Sequence, residues 1–355
     1  MTTSDRRPPQ PDAAGRHDDV VERGGADSIE DVFSAVEASV ALVEVDVGGG
    51  RAWQGPNVLL PGYRRLFGGQ LLAQAIAAAT VSGGAAGKVA RSLHLVFIAE
   101  GRTDSPVSWS VEAVHDGRTF ATRAVVARQG ERVIATGVVS LHAPDTGDHV
   151  LEHSIAPVAV PMAAEVAAAA QLGAMAFETR PVLSPAVFSR GVGSEPRPFW
   201  VGERDVFGPN HHPERPMEPA AAAEVTSGAL DGLAVGPPEL AAWMRAPRSP
   251  RRGTDQLVHQ ELLAYASDLT MMVAAMRPHE GIGFGSPLVQ ASAVTSHTIS
   301  FHRPLRVDEW LLFAQESPTA AGGRAYIRGD WFDDTGRVVA SCAQEVLIRV
   351  AGPDG

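Results

Sequence analysis

Asp268 and Gln344 are polar residues at positions where the surrounding pattern asks for apolar ones. A carboxylate set among apolar neighbours has its pKa lifted by burial and becomes a useful general base near neutral pH. A buried primary amide needs partners for its donors and its acceptor, and its carbonyl can hold a water by one hydrogen. Together the two suit activation of a water molecule. Each occurs in only one of two matching halves. Gln70-Leu-Leu-Ala-Gln-Ala-Ile-Ala77 aligns with Glu261-Leu-Leu-Ala-Tyr-Ala-Ser-Asp268, so Asp268 stands where the first half has Ala77. Val133-Ile-Ala-Thr-Gly-Val-Val139 aligns with Val338-Val-Ala-Ser-Cys-Ala-Gln344, so Gln344 stands where the first half has Val139. A duplicated chain with these residues in one copy implies one site rather than two.

The neighbours of both residues support burial. Ala264, Tyr265, Met271 and Met272 lie three and four positions from Asp268, on one stripe of an expected helix. Gln344 shares strand parity with Val338, Ala340, Cys342, Val346 and Ile348, the apolar face. The bland alternatives are a carboxylate that only accepts backbone hydrogen bonds and a glutamine that ties down a strand edge.

The elements that must position them follow the same order in each half. In the first, Ser39–Val47 reads as a strand and Gly68–Val81 as an apolar, Ala-rich helix. Strands follow at about 90–98, 107–115, 119–128 and 132–141, with turn signals at Asp116-Gly117 and Gln129-Gly130. In the second, Met175–Val182 reads as a strand and Leu257–Met276 as one long helix. Strands follow at about 289–301, 310–317, 324–331 and 338–350. Each helix is apolar on more than one face and so must be wrapped. The expected fold is α+β, a double hotdog of two repeats, each an antiparallel sheet around a central helix. Expected boundaries are a disordered tail over 1–30, a first hotdog over 31–145, a linker over 146–173 and a second hotdog over 174–350. A Pro/Gly/Ala-rich insertion at 204–238 interrupts the second.

Composition narrows the function classes. The chain has 355 residues, 45% hydrophobic and 20% charged, ordinary values for a globular protein. A net charge of −11 argues against nucleic acid as a partner. No apolar run has the length of a membrane span, and the N-terminal residues have no apolar signal core. The single cysteine, Cys342, suits a reducing cytoplasm. No Gly-rich phosphate loop and no Cys/His spacing suited to a metal is present, so neither metal nor cofactor is expected.

Several stretches together resemble the acyl-CoA thioesterase II family, the TesB-like double-hotdog thioesterases. They are Phe67-Gly-Gly-Gln-Leu-Leu-Ala-Gln-Ala75, Asp116-Gly-Arg-Thr-Phe-Ala-Thr-Arg123, Phe177-Glu-Thr-Arg-Pro-Val182, His259-Gln-Glu-Leu-Leu-Ala-Tyr-Ala-Ser-Asp268, Phe301-His-Arg-Pro304 and Gln344-Glu345. The resemblance implies hydrolysis of fatty acyl-CoA to a free fatty acid and CoA, without a covalent intermediate. It implies a catalytic Asp, Thr or Ser, and Gln that orient a water. The Asp falls on Asp268 and the Gln on Gln344. The hydroxyl position falls on Val294, with Thr295 and Ser296 just after it, and a bulge there would bring Thr295 into the role. Gly68, Gly69 and Gln70 at the opening of the first helix, and Arg303, are the substrate-binding candidates. Arg118, Arg123 and Arg324 are further cations for CoA phosphates. The first half also departs from the family, with Ala99-Glu100-Gly101 where Arg-Pro-Gly is usual. Two other functions stay open: a non-catalytic acyl-thioester-binding protein, and a hydrolase of a specialised acyl or carrier-protein thioester. A double hotdog contains its own pseudo-dimer and leaves room for a homo-oligomer.

Overall fold

The computed structural model describes residues 28–60, 65–83, 85–144, 151–154, 176–181, 236–253, 255–283 and 286–350. Most of the tail, the linker and the insertion expected from the sequence lie outside the described residues. The first half contains α1 (Ile29–Ser39), β1 (Val43–Val47), β2 (Gly50–Gly55), α2 (Gly68–Val81), β3 (Val89–Phe97), β4 (Val107–Asp116), β5 (Phe120–Gln129) and β6 (Arg132–His142). The second contains β7 (Glu178–Pro181), β8 (Glu239–Arg245), α3 (Gln256–Ala266), α4 (Met271–Met276), β9 (Val289–Phe301), β10 (Leu311–Ala321), β11 (Arg324–Phe332) and β12 (Val338–Val350).

The strands form one antiparallel sheet in the order β1-β2-β4-β5-β6-β3-β9-β12-β11-β10-β8-β7. Read outward from its centre, β3-β6-β5-β4-β2 on one side matches β9-β12-β11-β10-β8 on the other, which is the internal repeat in space. The halves join where β3 pairs with β9, Leu93 opposite Ile299 and Leu95 opposite His297. This is the double hotdog. Residues Gly69 to Ala79 of α2 are all buried, as the all-round apolar pattern requires. The helices α2 and α3 pack on each other inside the wrap. Gln260 of α3 ties the halves by accepting from Ala90 N at 2.9 Å and donating to Ala90 O at 2.8 Å.

Two expected elements are corrected. The strand expected over Ser39–Val47 begins only at Val43, because the chain before it is helical. Ser28 caps α1 by accepting from Asp31 N, and Val32, Phe33 and Val36 bury its inner face. The following hairpin turns through Gly48 and Gly49, both at positive φ. The single helix expected over Leu257–Met276 is two. The Ser267 hydroxyl bonds back to Ala264 O at 2.8 Å, and Asp268 N reaches only Tyr265 O, at 3.4 Å. Such side-chain competition for backbone groups disfavours continued helix. Asp268 therefore sits in the break between α3 and α4. Among the described residues no helix is long and apolar enough to cross a membrane.

Candidate active site

The break in the second half meets the start of α2 from the first. The N-cap of α2 is Phe67, which has no side-chain oxygen to offer the unpaired N–H groups of the first turn. Asp268 supplies the acceptor instead: its carboxyl takes the backbone N–H of Gly69. The contact needs glycine. A Cβ on Gly68 would lie 2.5 Å from Asp268 Oδ2, and one on Gly69 would lie 2.4 Å from Tyr265 O. The positive end of the helix also favours the ionised carboxylate.

Gln344 completes the cluster from β12. Its Nε2 donates to Asp268 Oδ1 at 2.5 Å and contacts Nδ1 of His297, its neighbour across the strand pair, at 3.2 Å. Its Oε1 is buried with no hydrogen-bond partner. Burial pushes the Asp268 carboxyl up to about 7, against the lowering effect of the Gln344 and Gly69 hydrogen bonds. It is thus poised to change ionisation near neutral pH, as a general base must.

That raised pKa has a consequence for stability. An unfolded Asp ionises near pH ~3.9. Between that value and about 7 the folded chain holds a proton that the unfolded chain has lost, so stability falls as pH rises through the interval. Asp268→Asn has no charge to bury. Its Tm is expected to exceed that of the wild type by roughly 5 °C at pH 8, allowing ~1–2 kcal/mol for a carboxyl partly open to a cavity, and by little at pH 4. Thermal melts at the two pH values check the sign.

Asp268 faces a cavity of about 350 Å³, within the size range of small-molecule sites. Leu66, Leu71, Phe97, Ile98, Met272 and Val294 give it apolar walls, and Gly68 lines it as well. Arg65 and Glu100 lie on its solvent side, with Arg65 Nε 3.9 Å from Glu100 Oε1 and both side chains substantially exposed. Neither stood out as a site residue in the sequence, although Glu100 belongs to the Ala99-Glu100-Gly101 departure.

The other candidates separate cleanly. Glu345 pairs with Ser296 and Val346 with Val294, so Thr295 is the extra residue of a β-bulge. Thr295 and Val294 both line the cavity, and the Thr295 hydroxyl donates to Glu345 O at 3.1 Å. Ser296 neighbours the inward-facing His297, so strand alternation turns it to the opposite sheet face, away from Asp268. Gln70 is buried away from the cavity, accepting from Val58 N and donating to Asn57. Arg303 bonds Val338 O and Glu152, and is not among the cavity-lining residues. Arg123, fully buried, is spent on Asp116, Gly83 O and His115 O, so it is unavailable to a phosphate.

Residues 60–142 match the acyl-CoA thioesterase N-terminal domain, and residues 193–348 match the acyl-CoA thioesterase C-terminal domain, together about two thirds of the chain. The chain belongs to the TesB-like acyl-CoA thioesterase II family. It is 29% identical to Acyl-CoA thioesterase 2 of Haemophilus influenzae, over 81% of this chain and 89% of that protein. It is also 29% identical to Acyl-coenzyme A thioesterase 8 of Mus musculus, over 84% of each. Among solved structures, an acyl-CoA thioesterase II TesB2 from Mycobacterium marinum superposes with a TM-score of 0.60 at 25% identity, covering 90% of this chain and 98% of that one. A TesB protein of Mycobacterium avium subs paratuberculosis gives 0.62 at 24% identity, covering 89% and 99%, a likeness of fold. Membership makes this TesB-like chain an acyl-CoA thioester hydrolase.

Proposed function

We propose that this TesB-like enzyme hydrolyses fatty acyl-CoA to a free fatty acid and CoA by activating a water between Asp268 and Gln344. The observation that carries the mechanism is the pair of acceptors left over when the cluster's hydrogen bonds are assigned. Asp268 Oδ1 is taken by Gln344 and the carboxyl also accepts from Gly69 N–H, while Oδ2, beside Gly68 at the cavity, has lone-pair capacity for a further donor. Gln344 Oε1 is buried and unpartnered; Gln344 is not itself among the cavity-lining residues and reaches the site through its contact with Asp268, which is. A water holds two hydrogens and has two acceptors to receive them, so one lone pair is free to attack.

The water oxygen bonds to the thioester carbonyl carbon while Asp268 takes its proton. The C–S bond then breaks, the thiolate of CoA leaves, and the Asp268 proton goes to the thiolate or to solvent. The N-terminal end of α2, whose Gly68 lines the cavity, offers partial positive charge to the developing oxyanion. Thr295 is the hydroxyl that the bulge brings to the cavity, and it takes the third water-orienting role by rotating from Glu345 O. A single cysteine kept as a buried thiol, Cys342, supports a cytoplasmic setting.

Thiol release from a panel of short to long acyl-CoAs tests the proposal on the Gln344→Ala variant. The expected result is a kcat about 10- to 100-fold below wild type, the size of a lost hydrogen bond to a charged group, with KM changed little. An unchanged kcat on every substrate contradicts the role of Gln344.

A further inference from the structure

We propose that His297 is the positioning residue that sets which way the Gln344 amide points, and that Ser267 holds it in the tautomer able to do so. The inference rests on the Asp268/Gln344 reading and extends it by one shell of named hydrogens.

The hydrogens follow from the donor inventory. Ser267 Oγ lies 2.8 Å from Ala264 O and 3.0 Å from His297 Nε2. A carbonyl can only accept, and a hydroxyl has one hydrogen, so that hydrogen goes to Ala264. Ser267 Oγ must then accept from His297, which places the imidazole proton on Nε2. A neutral ring with Nε2–H has a bare Nδ1, and that nitrogen faces Gln344 Nε2 at 3.2 Å. The two amide hydrogens of Gln344 are therefore both assigned, one to His297 Nδ1 and one to Asp268 Oδ1.

The opposite amide orientation fails twice. It would place Oε1 against the Asp268 carboxylate and against the bare Nδ1, two contacts between acceptors. With His297 as drawn, only one orientation leaves Asp268 a donor and turns Oε1 away as a free acceptor. The ring is fully buried, between Gln344 on β12, Leu95 on β3 and the Ser267 turn. Burial, with nearby His94, keeps it neutral through the physiological range, down to about 3. A protonated or Nδ1–H ring would offer Gln344 a donor and favour the wrong orientation.

His297 does not line the cavity, so its effect passes through Gln344. Loss of that control predicts a fall in kcat rather than in substrate affinity. In His297→Leu the amide keeps only Asp268 as a partner, so one hydrogen bond holds it when that carboxyl is ionised and either orientation is open when it is protonated. In His297→Asn the side-chain oxygen takes the place of Nδ1 as the second acceptor.

The experiment measures kcat, KM and the pH profile for wild type, His297→Leu, His297→Asn, Gln344→Ala and Asp268→Asn. Melting curves confirm equal folding, and ring 15N spectra of the wild type report the tautomer, His297 being assigned by its absence from the Asn variant. The expected kcat for His297→Leu is about tenfold or more below wild type, with KM within about twofold. Its ascending pH limb is expected to move upward as Asp268 loses a fixed donor. His297→Asn is expected to return to within a few-fold of wild type, and the wild-type spectrum to show a proton on Nε2 alone from pH 5 to 8. An Nδ1–H or doubly protonated ring overturns the inference. So does a Leu variant with wild-type kcat, or an Asn variant as impaired as the Leu variant, which would leave His297 a packing role only. If the His297 variants are active while Gln344→Ala and Asp268→Asn collapse, the inference fails and the water mechanism stands. If Gln344→Ala and Asp268→Asn are themselves active, the water mechanism fails.

Discussion

Asp268→Asn is expected to lower kcat for acyl-CoA hydrolysis by about a thousandfold, within the ~10²–10⁴ range of a lost general base. The substitution is nearly isosteric, and its one remaining oxygen can still accept from the Gln344 amide, so the packing of the site survives. What disappears is the ability to take a proton from water at a pH where the rest of the site is ready. Substrate affinity should change little, because the apolar walls of the cavity are untouched. The same variant is expected to be more stable at pH 8, so lost activity and gained stability come together. Thiol-release kinetics and a melting curve on one preparation separate this outcome from misfolding, which would lower both. A residual kcat within tenfold of wild type contradicts the assignment.

Gly68→Ala is expected to lower kcat by about 100-fold while leaving the fold intact. Gly68 is the first residue of α2 and does not have a positive φ, so the backbone there accepts alanine. The added methyl meets Asp268 Oδ2 at 2.5 Å, and Asp268 Cγ and Phe97 Cζ at 3.4 Å. The carboxyl is the group able to yield, and its displacement spoils the alignment with Gln344 and with a bound water. A shift near 1 Å at a reacting group costs on the order of 10²-fold. Gly69 differs in kind, since its Cβ would strike the Tyr265 carbonyl, which is backbone. The check is kcat against Tm for Gly68→Ala. A wild-type rate would mean that the close approach of α2 to Asp268 is packing without consequence for the chemistry.

Both ends of the proposed catalytic pair were legible in the sequence, because the internal repeat supplies its own control. Asp268 against Ala77 and Gln344 against Val139 are exchanges that packing alone does not ask for. The hotdog was legible because α2 is apolar all round and short antiparallel strands follow each helix. The rest depended on contacts that no local pattern encodes. The strand expected over Ser39–Val47 extended a real alternation backward into α1, whose capping Ser28 lay in a stretch expected to be a polar tail. The long second helix has no Gly or Pro to mark its break, which a Ser267 hydroxyl makes by bonding backward. Gln70 adjoins Gly68 and Gly69 in sequence, but it follows them around a helix, and the turn carries it to Val58 and Asn57. The bulge that brings Thr295 to the cavity depends on register between β9 and β12. The Gly69 N–H held by Asp268 joins the two halves, and a sequence read one half at a time does not contain that contact.

The measurement that tests the central claim most directly is the pH dependence of kcat/KM for the wild type, from pH 5 to 9, with Asp268→Asn alongside. A base with a pKa of about 7 must be ionised to act. The wild-type rate is therefore predicted to rise close to tenfold per pH unit at low pH and to level off above a midpoint near 7. Asp268→Asn is predicted to lose that limb along with its activity. A wild-type profile that is flat from pH 5 to 9, or an ascending limb that survives in Asp268→Asn, would contradict Asp268 as the base.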